Sequence, residues 1–295
     1  GAESLSAAGN IFLGQTEAPL LVKPYIKNMT KSELMCLMTG GMATIAGGVF
    51  AAYVALLGGT DPEESIKFAT ILLTASIMNA PAGIVISKIF IPEDSNNKIN
   101  QNLSINKEEL GSNPIHALAK GASDGLKLAF NIAAMLLAFL AFVYMINYFL
   151  AYIGDITSLN NLINSSSEGQ FNKLSMEYLL GQIFRFFAFM IGVGWNESVL
   201  VGSLLGQKFV LNEFIAYVNL AEIKEAGLLS EKSIIISTYS LCGFANFSSI
   251  AIQIGGIGSM APTRQEDISK LGIKALVAAT LATLLTGNIA GYVMI

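Results

Sequence analysis

The segment Gly9–Pro24 places three consecutive polar residues in the middle of an apolar stretch. Gln15, Thr16 and Glu17 have apolar residues on both sides, with Gly and Pro residues close by. Gly and Pro this close together interrupt a helix rather than extend it. The segment is also shorter than the roughly 20 apolar residues that a membrane-spanning helix needs. It therefore predicts a hairpin that enters a membrane and turns back, with its polar tip inside.

The composition is that of a membrane protein. Hydrophobic residues make up 53% of the 295 residues, charged residues make up 13%, and the mean hydropathy is +0.58. Soluble domains usually carry about 25% charged residues, so we expect a multi-pass protein embedded in a lipid bilayer. The net charge of −4 and the lack of a basic tract argue against a nucleic-acid partner. Cys36 and Cys242 lie in apolar stretches and are predicted to be buried thiols rather than a disulfide.

The order of apolar and polar stretches predicts an all-α polytopic membrane protein whose whole length, 1–295, forms a transport domain. The predicted segments are a re-entrant helical hairpin at 1–26, two spans within 32–91, a scaffold span at 128–153, a second re-entrant hairpin at 176–220, a broken span at 232–258 and a last span at 273–295. A helix on the membrane surface is expected at 116–127. The chain begins inside an amphipathic segment, which predicts that N-terminal helices are missing.

Two of the spans have centres made almost entirely of small or polar residues, at Thr39–Gly48 and Leu241–Ser249. Small residues in such positions allow helices to pack closely. The same composition is typical of discontinuous helices, whose freed carbonyl groups line the cavity of a transporter. The two interpretations are compatible, and we expect both spans to be discontinuous transmembrane helices.

The two halves of the chain carry the same features in the same order. The triplet Leu-Gly-Gln at 13–15, followed by Glu17, recurs at 205–207, followed by Glu213. Three predicted spans separate the two hairpins, and an odd number of crossings predicts inverted repeats. Lysines at the first hinge and in the loop at 92–113 predict that both face the cytoplasm.

Glu17 and Glu213 are the carboxylates predicted at membrane depth, where an ionisable residue indicates a functional site. A solute site is one explanation. Ion pairs with Lys23 or Lys208 are a second, and a hydrolytic pair in a membrane-embedded enzyme is a third. The sequence contains no HExxH or CxxC motif, which disfavours an enzyme. A purely structural subunit of a membrane complex is the remaining alternative.

Three longer motifs carry a family resemblance. The runs GQTEAPLLVKPY (Gly14–Tyr25), LNEFIAY (Leu211–Tyr217) and CGFANFSSIAI (Cys242–Ile252) resemble the concentrative nucleoside transporters, or sodium/nucleoside cotransporters. The resemblance implies cation-coupled symport of nucleosides into the cell by alternating access, and a protein that is not an enzyme. It also implies a homotrimer in the plasma membrane, here a bacterial inner membrane, with further N-terminal helices.

The family's substrate-binding residues carry over to matching positions. The residues implied to bind base and ribose are Gln15, Thr16, Glu17, Val49, Glu213, Phe244, Asn246 and Ser249. Buried carboxylates accept charge-assisted hydrogen bonds from ribose hydroxyls, and a buried amide such as Gln15 can meet the edge of a base. The implied substrates are uridine and cytidine, with purine nucleosides as further candidates.

The co-transported cation is implied to be sodium. The matching ligands are the side chains of Asn10 and Thr44 and the backbone carbonyls of Leu13 and Ile45. Ligands that are all oxygen suit a hard cation. Proton-coupled relatives tend to lack the Asn that corresponds to Asn10, so its presence favours sodium. Proton-coupled symport is the alternative.

Overall fold

The computed structural model describes residues 1–93, 114–167 and 169–293. Within these ranges all regular secondary structure is helical, which confirms the all-α prediction. The helices are α1 (Ala2–Asn10), α2 (Lys23–Ile26), α3 (Lys31–Ala43), α4 (Gly47–Gly58), α5 (Pro62–Phe90), α6 (Pro114–Ile156), α7 (Leu159–Ser166), α8 (Met176–Met190), α9 (Ser198–Val210), α10 (Glu213–Glu225), α11 (Glu231–Leu241), α12 (Phe247–Met260) and α13 (Gln265–Val293), with 3-10 helices at Ala18–Val22 and Pro262–Arg264. The chain divides into two compact units, 1–103 with 180–295, and 104–179.

The first hairpin is a helix, a turn and a second helical segment. α1 ends at Asn10, and the turn begins with a hydrogen bond from the backbone N–H of Leu13 to the carbonyl oxygen of Gly9. Pro19 lies in the first turn of the following 3-10 helix, where its missing N–H leaves no hydrogen bond unmade. The predicted interruption between Gly14 and Pro19 is therefore present.

Both predicted breaks are present in the unit that contains the two termini. α3 and α4 are separated by residues 44–46, and α11 and α12 are separated by residues 242–246. Asn246 caps α12, because its Oδ1 accepts a hydrogen bond from the backbone N–H of Ser249 at 2.9 Å. The prediction of discontinuous helices is confirmed.

The range predicted for the second hairpin, 176–220, contains α8, α9 and most of α10. α9 and α10 are joined by a sharp turn, and Asn219 of α10 donates a hydrogen bond to Gln207 of α9 across the pair. Asn212 is the N-cap at the tip between them. α8 packs closely against α9, because a Cβ atom at Gly202 would lie 2.6 Å from the backbone nitrogen of Arg185. It ends before Gly192, whose φ of +103° is a conformation that favours glycine.

Several helical segments are suited to a membrane. Among the described residues, three are long and apolar enough to cross one: Lys31–Gly58, Pro62–Phe90 and Pro262–Val293. A further pair, Ala141–Ile156 and Leu159–Ser166, is bent by 99°. These segments agree with a multi-pass membrane protein.

α6 differs from the prediction of two separate segments. It is a single helix, so the predicted surface helix at 116–127 and the scaffold span at 128–153 belong to one element. No proline lies within it after its first residue to end the helix. Lys98 and Lys107 of the preceding loop lie outside the described residues, as does the side chain of Lys120.

α13 supports both broken helices. It packs against α3, α5, α11 and α12. The contact face is built of small residues, and the fully buried alanines on it are Ala275, Ala278, Ala279 and Ala282. Small side chains let helices approach closely. Cys36 and Cys242 are both buried free thiols, as predicted.

Candidate functional site

The two broken helices meet at their breaks. The backbone N–H of Phe244 donates to the carbonyl oxygen of Thr44 at 3.2 Å. A Cβ atom at Gly243 would lie 2.7 Å from the carbonyl oxygen of Ala43, so the approach requires glycine. The backbone N–H of Gly47 donates at 3.0 Å to a carbonyl oxygen in the tip of the first hairpin. Three interrupted segments therefore converge on one place.

Side chains of the long helices bond the carbonyl groups that the breaks set free. Asn79 of α5 donates to the carbonyl oxygen of Cys242 at 2.6 Å, and Thr286 of α13 donates to Asn79 Oδ1 at 2.6 Å. Ser76 of α5 donates to the carbonyl oxygen of Ile11 in the first hairpin at 2.9 Å. Because unpaired carbonyl groups at membrane depth are strongly destabilising, these bonds stabilise the interrupted backbone.

Glu213 is a buried carboxylate at the first position of α10, 5% exposed. Its Oε1 accepts from the hydroxyl of Tyr53 at 2.9 Å, and its Oε2 accepts from Nδ2 of Asn246 at 3.1 Å. The ring of Tyr53 stacks on Tyr217 with centroids 4.2 Å apart. A carboxylate has about four lone-pair sites, so Glu213 retains capacity for hydroxyl groups of a ligand.

Lys208 does not form the ion pair with Glu213 that the sequence left open. Its Nζ is buried and donates to the carbonyl oxygen of Ser240 and to Thr283 Oγ1, both at 2.8 Å. Ser240 lies in the last turn of α11, where the helix dipole favours a cation. The ion-pair alternative is wrong for this pair, because the ammonium group has other partners.

Gln15 lies at the centre of a buried amide cluster. Its Nε2 donates to Ser249 Oγ at 3.0 Å, and its Oε1 accepts from Nε2 of Gln253 at 3.3 Å. The same nitrogen of Gln253 donates to the carbonyl oxygen of Met38 at 3.0 Å. Sequence reasoning missed Gln253, because one amide in a glycine-rich helix carries no motif. Its position one turn after Ser249 is the signal that places both on one helix face.

Asn246 joins this cluster to Glu213. Its Nδ2 faces the carboxylate, and its Oδ1 accepts from the backbone N–H of Ser249 and from the hydroxyl of Ser248 at 2.7 Å. Because a backbone N–H can only donate, the orientation of the Asn246 amide is fixed. The structure therefore brings Gln15, Asn246, Ser249 and Glu213 into one connected network.

The remaining predicted substrate residues lie outside this network. Thr16, Val49 and Phe244 are partly buried. Glu17 is exposed, so the prediction that the whole polar tip is buried is wrong for this residue. The chain turns there, with the backbone N–H of Glu17 bonded to the carbonyl oxygen of Gly14 at 3.1 Å, and the last residue of the turn faces outward.

Asn10 is the candidate cation ligand. It is 1% exposed, and neither atom of its side-chain amide has a hydrogen-bond partner among the described residues. A Cβ atom at Gly40 would lie 3.2 Å from Asn10 Nδ2, and Thr44 donates to the carbonyl oxygen of Gly40 at 3.0 Å. A buried amide without partners is destabilising, so its oxygen is suited to a cation. Leu13 and Ile45 supply only backbone carbonyls to the predicted set, which fits a hard ion.

Interrupted helices that converge on buried polar side chains define a class of membrane protein, the solute transporters. The residue types indicate an uncharged solute with hydroxyl groups and a hard cation. Residues 121–125 match the GxSxG pattern of hydrolases, but they lie within α6 rather than on the strand-to-helix turn that this pattern requires.

The chain belongs to the family of Na+-dependent nucleoside transporters. The sequence model for the C-terminal region of that family matches residues 71–291, and a nucleoside-recognition model, Gate, matches residues 1–60. The family resemblance is therefore confirmed. The family consists of transporters, which removes the alternative of a membrane-embedded enzyme.

Named relatives come from bacteria and mammals. The chain is 44% identical over 290 residues to the uncharacterized transporter YutK of Bacillus subtilis, covering 98% of this chain and 66% of that protein. It is 42% identical over 303 residues to solute carrier family 28 member 3 of Mus musculus, covering 98% and 40%. It is 38% identical over 308 residues to sodium/nucleoside cotransporter 1 of Rattus norvegicus, covering 99% and 44%. The chain thus spans at most about two thirds of these relatives' length.

Solved structures of CNTnw share the fold. An inward-facing, substrate-bound structure matches with a TM-score of 0.85 and 40% identity, covering 98% of this chain and 64% of that one. A variant in an outward-facing state matches with a TM-score of 0.85 and 41% identity, covering 98% and 65%. CNTnw therefore adopts this fold in both an inward-facing and an outward-facing state.

Proposed function

We propose that the protein carries nucleosides into the cell together with sodium by alternating access. The observation that carries the proposal is the connected network from Gln15 through Ser249 and Asn246 to Glu213, buried where the two broken helices meet. It offers an amide at one end and a carboxylate at the other. A nucleoside has the matching polarity, because it joins a base edge to ribose hydroxyls.

The carboxylate end is assigned to ribose. Glu213 keeps acceptor capacity beyond Tyr53 and Asn246, and hydroxyl groups donate to a carboxylate in charge-assisted hydrogen bonds. Thr16 and Glu17, at the hairpin tip, are assigned to the same sugar. An exposed Glu17 is compatible with this role, because a residue that receives a solute must be open to it.

The amide end is assigned to the base. Gln15 can donate and accept at the edge of a nucleobase, and Val49 and Phe244 provide apolar surface for the base faces. Uridine and cytidine are the proposed substrates, with purine nucleosides as further candidates.

Sodium is assigned to Asn10, Thr44 and the carbonyl groups of Leu13 and Ile45. Two observations support this site: the buried amide of Asn10, which has no partner in the described ranges, and the sodium dependence of the family. Asn10 ends α1, five residues before Gln15. A cation held there would order the tip that contacts the base, which couples the two ligands.

The protein is further proposed to be a homotrimer in the bacterial inner membrane. Exposed apolar side chains on α8 suit contact with lipid or with another copy; they include Ile183, Phe186, Phe187, Phe189 and Met190. Light scattering of the purified full-length protein checks the oligomeric state.

The test is uptake of radiolabelled uridine by the full-length protein in proteoliposomes. An inward sodium gradient at equal pH should drive accumulation, and dissipation of the gradient should abolish it. A pH gradient without sodium should drive none. Accumulation that follows the pH gradient would establish the proton-coupled alternative, and absence of uptake of any nucleoside would refute the proposed function.

A further inference from the structure

Gln253 is a buried amide to which the proposed function gives no role. It lies in α12, is 0% exposed and follows Ser249 by one turn. Its Nε2 lies 3.0 Å from the carbonyl oxygen of Met38 and 3.3 Å from Oε1 of Gln15. A backbone carbonyl can only accept a hydrogen bond, so the nitrogen of the Gln253 amide must face Met38. The backbone of α3 thereby fixes the orientation of this amide.

The fixed amide sets the orientation of Gln15. The N–H group that Gln253 directs at Gln15 requires an acceptor, so Gln15 turns its carbonyl oxygen towards Gln253. The NH2 group of Gln15 then donates to Ser249 Oγ at 3.0 Å. Because Ser249 Oγ accepts from Gln15, its own proton points elsewhere. Gln253 therefore donates to both Met38 and Gln15, and Gln15 in turn donates to Ser249.

The surroundings of Gln253 are built for this contact. A Cβ atom at Gly41 would lie 2.9 Å from Nε2 of Gln253 and 3.2 Å from Cβ of Gln15, so glycine makes room for both amides. The other amide atom of Gln253, Oε1, is buried and has no hydrogen-bond partner in the described part of the chain. A buried acceptor without a donor is destabilising. Among the described residues, only the nitrogen end of the Gln253 amide is therefore held by hydrogen bonds.

We propose that Gln253 is a positioning residue that determines base specificity by holding Gln15 in one orientation. The inference rests on the proposed nucleoside site. It adds which hydrogen-bonding groups of Gln15 and Ser249 face the base. Gln15 presents N–H and Ser249 presents O–H, so the site favours a base edge that carries acceptors. Uracil and cytosine exchange donor and acceptor at N3 and at the 4-position. The ratio of uridine to cytidine affinity therefore reports the orientation of Gln15.

The test compares Gln253→Glu and Gln253→Met in the full-length protein. A carboxylate cannot donate to Met38 or to Gln15, so we expect the Gln15 amide to turn over in Gln253→Glu. The ratio of the uridine and cytidine inhibition constants should change by about fivefold or more, the effect of one misdirected buried hydrogen bond. Gln207→Glu is the matched control. Gln207 is also buried, but its partners are Ser203 in α9 and Asn219 in α10 rather than Gln15, so its replacement should leave the ratio unchanged.

A double-mutant cycle separates positioning from a structural role. If Gln253 acts through Gln15, Gln253→Met changes the ratio in the wild type but not in the Gln15→Met background. An unchanged ratio with all nucleosides weakened equally, or the same change in both backgrounds, would overturn the proposal. If Gln253→Glu does not yield folded protein, the ratio of uridine to cytidine affinity is measured by binding of the labelled nucleosides to purified Gln253→Met. An unchanged ratio in that variant would also overturn the proposal. Wild-type protein that binds no nucleoside would instead refute the proposed function.

Discussion

Replacing Glu213 by Gln keeps the shape of the side chain but removes its charge and turns one acceptor into a donor. In the wild type both carboxylate oxygens accept, from Tyr53 O–H and from Asn246 N–H. Asn246 cannot turn its amide over, because its Oδ1 accepts from the backbone N–H of Ser249. Whichever way the new amide turns, either Tyr53 or Asn246 loses its acceptor.

The magnitude follows from these contacts. A buried donor left without an acceptor costs about 1–3 kcal/mol of stability. A charge-assisted hydrogen bond from a ribose hydroxyl to Glu213 is worth about 1.5–3 kcal/mol. At about 1.4 kcal/mol per factor of ten, one such lost bond weakens nucleoside binding roughly 10- to 150-fold. We expect the uridine concentration for half-maximal uptake to rise by that factor in Glu213→Gln.

The assay is sodium-driven uridine uptake into proteoliposomes, with thermal unfolding of the purified protein in parallel. The double variant Glu213→Gln/Asn246→Asp places the carboxylate on the other side of the same contact and gives every donor an acceptor again. It should regain thermal stability but not uridine affinity, because the charge is no longer at position 213. Wild-type affinity in either variant would refute the assignment of ribose to Glu213.

Three further substitutions test other parts of the site. Asn10→Ala should raise the sodium concentration for half-maximal uptake more than it changes uridine affinity at saturating sodium; uptake indifferent to sodium would contradict this. Gln15→Met should weaken uridine and cytidine roughly 5- to 150-fold and purine nucleosides less, because their larger bases contact more of Phe244; an inhibition profile parallel to that of the wild type would show that Gln15 does not contact the base. Gly243→Ala should lower the melting temperature, because the new Cβ would lie 2.7 Å from a backbone carbonyl oxygen. Gly255→Ala, whose Cβ would have nothing within 4 Å, should leave the melting temperature unchanged. Equal melting temperatures of the two variants would contradict the steric explanation.

The breaks in the helices could be predicted because their causes are local. Small and polar residues at 39–48 and 241–249 weaken a helix wherever it lies, and Asn246 and Asn212 act as N-caps through bonds to residues three positions away. The family motifs also contain most of the residues that form the network, including Glu213. Local patterns therefore suffice to predict the breaks and the residues of the candidate network.

The partners of these residues could not be predicted in the same way. Tyr53 lies in an apolar helix where an aromatic residue is ordinary, and its acceptor, Glu213, is 160 positions away in the sequence. Only the packing of α4 on α10 brings them together. Gln253 was missed for the same reason, and the exposure of Glu17 depends on how the turn folds rather than on hydropathy. Tertiary contacts decide these details.

The junction of the two breaks determines which parts of the protein can separate. Phe244 and Thr44 are joined backbone to backbone, and Gly243 lies against the carbonyl oxygen of Ala43. Such a junction has no side chain that could rotate to open it. In the proposed transport cycle we therefore expect the two broken helices to move as one rigid piece. The backbone N–H of Gly47 bonds the tip of the first hairpin to the same piece, so we expect this tip to move with it.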